Sequence, residues 1–64
     1  MQAGFRLVDG HRLDVRSDLR RRGVILEFIS PKGDVVSTAA LTRSETRALS
    51  SALMGAAAEA EPTR

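Results

Sequence analysis

The sequence predicts an α+β domain: a four-stranded antiparallel sheet of two hairpins packed against one C-terminal helix, in the order β-β-β-β-α. Three observations carry that expectation. The turns Asp9-Gly10 and Pro31-Lys32-Gly33-Asp34 each separate runs of alternating or β-branched residues, the local signature of hairpins. Thr42 and Glu45 match the capping box S/T-x-x-E that opens helices. Beyond them Leu49, Ala52, Leu53, Ala56 and Ala60 recur at spacings of three and four, which draws one apolar stripe.

Each element has its own reason. Phe5 to Val8 and Arg12 to Arg16 read as strands around Asp9-Gly10, where glycine takes the positive φ the turn requires. The segment GVILEFIS, from Gly23 to Ser30, is a third strand rich in β-branched and aromatic residues. Pro31 presets φ for the second turn and Gly33 suits its left-handed position, so Val35 to about Ala39 returns antiparallel. The helix is expected to begin just after Thr42, with Arg43, Arg47 and Ser51 opposite its apolar stripe. Gly55 weakens it by about 1 kcal/mol relative to alanine. Pro62 cannot continue it, so residues 1–60 form one domain and 61–64 a frayed tail.

A chain of 64 residues buries only about 60% of the surface its unfolded form exposes, so its stability is marginal without a partner. Cysteine is absent, which removes disulfides, thiolate metal sites and thiol nucleophiles and suits a reducing compartment. A homodimer is the simplest remaining stabiliser. No run approaches the roughly 20 apolar residues of a membrane span, and the start MQAGFRLVDG lacks a basic region followed by an apolar one. A cytoplasmic protein with no membrane association is expected.

Strand alternation assigns two faces. Phe5, Leu7, Leu13, Val15, Val24, Leu26 and Phe28 are expected to point at the helix; Arg6, Val8, Arg12, Asp14, Arg16, Ile25, Glu27 and Ile29 point away. The outward set mixes arginine with Val8, Ile25 and Ile29, an apolar patch of the kind that marks an interface. The alternative is a bulge or slipped register that turns those residues inward.

Catalytic constellations are missing. His11 is the lone histidine and shares a turn with Asp9, without a cysteine or an activated serine beside it. Asp9, His11, Asp14 and Asp18 match no metal-ligand spacing, and no glycine-rich phosphate cradle occurs. No enzyme, metal, cofactor or small-molecule substrate is therefore expected.

Binding is left. The net charge is +2, and nine of the ten basic residues are arginine, whose planar fork suits phosphate and carboxylate. A GC-rich genome is the competing origin of that bias. Arg6, Arg12 and Arg16 share the outer face, and Arg20, Arg21 and Arg22 extend from the adjoining loop, an elbow that also contributes charge. Asp14, Asp18 and Glu27 lie among them. Both aromatic residues, Phe5 and Phe28, are assigned to the core, which leaves phosphate rather than base contacts.

The layout over residues 5 to about 53, carried by Phe5, Leu7, Arg12, Val15, Arg16, Leu41 and Thr42, resembles the positive-cofactor-four type transcriptional coactivators. The resemblance implies a dimer of β-β-β-β-α subunits that binds single-stranded DNA through its strands. Thr46 stands where that family carries a helix tryptophan, so contacts to the nucleic-acid backbone are what it implies here. Small actinobacterial and phage proteins ending in an alanine-rich Leu-Thr-x-x-Glu helix share the layout too. Two readings stay open: a small regulatory nucleic-acid-binding module, or a protein-binding adaptor or inhibitor, with phage encoding as one origin.

Overall fold

A computed structural model describes residues 1–62. Four strands, β1 (Gln2–Arg6), β2 (Arg12–Asp18), β3 (Gly23–Ile29) and β4 (Val35–Thr42), form one antiparallel sheet in sequence order, followed by α1 (Arg43–Ala60). The α+β class and the order β-β-β-β-α are as expected from the sequence. The final two residues of the expected frayed tail lie outside the described residues.

Turn chemistry sets the strand ends. In the first hairpin the Leu7 N–H donates to the His11 carbonyl at 2.7 Å and the Gly10 N–H to the Leu7 carbonyl at 3.1 Å. Gly10 has φ +94°, and the Asp9 carboxylate accepts the His11 N–H at 3.0 Å. This closure draws Leu7 and Val8 into the turn, so β1 ends at Arg6 rather than at Val8, and it begins earlier, where Gln2 pairs with Arg16. In the second hairpin Ser30 organises the turn: its hydroxyl accepts the Lys32 and Asp34 N–H groups at 3.3 and 3.2 Å, and Gly33 takes φ +95°. Phe28 pairs with Ser37 but Ile29 with Val35, so Val36 is the extra residue of a bulge.

The register separates the faces. One carries Ala3, Phe5, Leu13, Val15, Val24, Leu26, Phe28, Ala39 and Leu41, with no charged side chain among them. The other carries Arg6, Arg12, Asp14, Arg16, Ile25, Glu27 and Ile29.

Thr42 ends β4 and also caps α1. Its hydroxyl accepts the Glu45 N–H at 3.1 Å while the Glu45 carboxylate accepts the Thr42 N–H at 2.9 Å, closing both halves of the capping box. Strand therefore passes into helix with no connecting residues, and β4 is an edge strand. That junction holds α1 close to β3 and β4 alone, whereas the sequence implied a helix lying across the whole sheet. Phe5, expected beneath the helix, is 54% exposed, and Leu53 is 61% exposed. No described residue is fully buried. The backbone radius of gyration is 13.6 Å, against about 11 Å for a compact domain of this length.

Candidate nucleic-acid interface

The arginines expected to line one side of the sheet fall into three places. Arg6 and Arg12 are cross-strand neighbours, and with Asp14, Ile29 and Pro31 they line a cleft of about 630 Å³ at the end bearing the Gly10 and Gly33 turns. Arg16 lies mid-sheet. Arg20, Arg21 and Arg22 occupy the β2–β3 turn at the opposite end, the seven residues of β2 away, or roughly 23 Å.

Two of the sheet-face arginines are already partnered. Arg12 Nε donates to the Asp14 carboxylate at 2.7 Å, and Arg16 Nη1 to the Glu27 carboxylate at 2.7 Å. Their charge is largely cancelled at short range. Among the described residues no carboxylate lies within 4.0 Å of the basic groups of Arg6, Arg20, Arg21 or Arg22.

The β2–β3 turn is held in an unusual way. Arg22 adopts φ +55°, a left-handed conformation that disfavours side chains bearing a Cβ. The Asp18 carboxylate caps the turn by accepting the Arg21 N–H at 3.4 Å, a long contact. Gly23 then pairs with both Asp18 and Thr42, which places the turn beside the start of α1. A Cβ at Gly23 would collide with the Leu41 carbonyl, so only glycine allows this approach.

The result is a basic corner. Arg22 and Arg43 line one cleft of about 460 Å³ with Ser17, Asp18 and Leu19, while Arg21 lines a smaller one, about 140 Å³, that shares Asp18, Gly23 and Val24 with it. Arg43 was legible in the sequence only as a polar helix position. What brings it to Arg22 is the Gly23–Thr42 pairing, which joins residues far apart in the chain.

The expected interface residues are scattered. Ile25 and Ile29 lie half-buried on the charged face, Ile25 between Arg16 and Ala40, whereas Val8 sits fully exposed in the first turn. His11 packs edge-on against Phe28, ring centroids 6.2 Å apart. Its Nδ1 is 3.1 Å from the Asp9 carboxylate without the alignment of a hydrogen bond. The Asp9 carboxyl is held below its usual 3.8, chiefly by the His11 backbone N–H. No three His, Cys, Asp or Glu side chains gather as a metal site among the described residues, and no described helix is long and apolar enough to cross a membrane.

Comparison of the chain with protein-family models, with curated proteins and with solved structures gives no match.

Proposed function

We propose that this protein is a non-enzymatic, cytoplasmic binding module that takes the phosphate backbone of nucleic acid at the corner built by Arg20, Arg21, Arg22 and Arg43. The observation that carries the reading is the convergence of Arg22 and Arg43 on one cleft with no ion-paired carboxylate among the described residues. Arginine forks match phosphate oxygens two at a time. Arg12 and Arg16, tied to Asp14 and Glu27, play a lesser part, and Arg6 is a separate outlying charge.

Fluorescence anisotropy with labelled single-stranded and duplex oligonucleotides, across a salt series, tests this. Affinity falls with salt, and the double variant Arg22→Gln, Arg43→Gln lowers the log–log salt slope by about 1.4 for single strands or 1.8 for duplex. Absence of binding at about 50 mM salt, or binding without a salt slope, refutes the reading.

A second reading, a protein-binding adaptor or inhibitor, is favoured by the cleft at the other end. Arg6, Arg12, Asp14, Ile29 and Pro31 combine apolar surface with an arginine already tied to a carboxylate, Arg12 to Asp14, a mixture that suits a protein interface. Capture of a defined protein that Ile29→Asp abolishes, with circular dichroism unchanged, would select it.

A further inference from the structure

We propose that the uncharged sheet face, together with α1, is the interface of a homodimer in which a second copy of this chain seats its own α1 and apolar strands. The face closes around a groove of about 320 Å³ lined by Phe5, Leu13, Leu26, Leu49 and Leu53, among others. It is open to solvent, and Met54, next to Leu53 along α1, is 73% exposed.

The exposed area is enough for a second copy. The chain exposes 5637 Å², whereas a compact monomer of 6.9 kDa exposes about 4,000 Å². The excess is about 1,600 Å² per chain, so two copies that hid all of it from each other would bury at most about 3,200 Å² in total. That lies within the range of obligate homodimers and well above the standard interface of about 1,600 Å².

Charge and shape point the same way. A two-fold axis brings a patch against its own image. The face bearing Arg6, Arg12 and Arg16 would have to desolvate those arginines together with Asp14 and Glu27, whereas the opposite sheet face carries no charge. Each copy also supplies both a groove between sheet and helix and exposed apolar side chains, Leu53 and Met54, on α1. The interface so defined is the reverse of the one that Ile25 and Ile29 suggest in the sequence.

The interface does not depend on what the arginines bind. Sedimentation equilibrium of the 64-residue chain from about 1 to 100 µM, with thermal unfolding at both ends of that range, tests it directly. The expected result is twice the 6.9 kDa chain mass and a melting temperature that rises with concentration. A chain-mass particle with concentration-independent melting overturns the proposal, as does a particle of more than two copies. Leu53→Asp is expected to weaken association at least about tenfold, and Ile25→Asp to leave it intact. A dimer that survives Leu53→Asp, or one that Ile25→Asp dissociates, overturns the assignment of the face. The measurements on the unaltered chain decide the matter even where Leu53→Asp does not fold.

Discussion

Arg16 reaches from β2 to β3 and holds the Glu27 carboxylate at 2.7 Å, and the pair relieves a repulsion that the register creates. Glu27 stands directly opposite Asp14, and like charges so placed destabilise a sheet. Arg12 holds Asp14 from within β2, two residues away and also at 2.7 Å. Because Arg16 and Glu27 are only partly shielded from water, their coupling is expected to be about 0.2 to 1 kcal/mol. A double-mutant cycle with Arg16→Ala and Glu27→Gln, read by denaturant unfolding, measures it. Glu27→Gln alone is expected to cost less than Arg16→Ala alone, since it also removes the repulsion. Zero coupling would show that the pair does not hold in solution.

Arg22 sits where glycine belongs. A left-handed residue with a Cβ costs about 1 to 2 kcal/mol, of which glycine's greater unfolded-state freedom would return about 0.5 to 1. Arg22→Gly is therefore expected to raise stability by up to about 1.5 kcal/mol while lowering the salt slope of oligonucleotide binding by about 0.7 to 0.9. The two signs are opposite, as for a residue kept for contact rather than for folding. A stabilised variant that binds unchanged would remove Arg22 from the site.

Two strand glycines should respond differently to alanine. At Gly23 the added Cβ meets the Leu41 carbonyl, which belongs to a paired strand and cannot step aside. Gly23→Ala is expected to cost about 3 kcal/mol, near the top of the usual range for single substitutions. At Gly4 the Cβ meets the Arg12 guanidinium, with Nη2 at 2.7 Å, and the Asp14 carboxylate at 2.9 Å, both side-chain tips that can swing away. Gly4→Ala is expected to cost less than about 1 kcal/mol, chiefly by disturbing the exposed Arg12–Asp14 pair. Thermal melts at one fixed protein concentration compare them, and equal losses would contradict the placement of Gly23 against β4.

Acid should loosen the first turn through Asp9. Its folded carboxyl titrates below 3.8 because the His11 backbone N–H binds the ionised form. The folded state thus releases that proton more readily than the unfolded one. The resulting stability is fully present above the unfolded value of 3.8 and is lost as pH falls through the lower folded value. Asp9→Asn keeps an oxygen acceptor for the turn and is expected to flatten this acid dependence. Melting curves from neutral to strongly acidic pH check it; an unchanged profile in Asp9→Asn would show that other carboxylates carry the effect.

Local signals account for what could be read from the chain alone. The Gly10 and Gly33 turns, the Thr42–Glu45 capping box and the alternation along β2 and β3 are decided by residues within a few positions of one another, and all appear as expected. Strand ends were less legible. Whether Val8 closes a strand or enters a turn depends on the Leu7–His11 hydrogen bond, and β4 lengthens to Thr42 because Leu41 and Thr42 find partners in Val24 and Gly23.

By itself the sequence determined the secondary structure, its order and the separation of apolar from charged side chains, because turn geometry, capping and strand alternation act over short stretches of chain. Only the tertiary structure decided where those surfaces face. The direct passage of an edge strand into α1 leaves the apolar side of the sheet covered at β3 and β4 alone, the pairing of β2 with β3 sets Glu27 within reach of Arg16, and the pairing of Gly23 with Thr42 carries Arg43 to Arg22. Each depends on distances between residues remote in sequence, which no local pattern encodes.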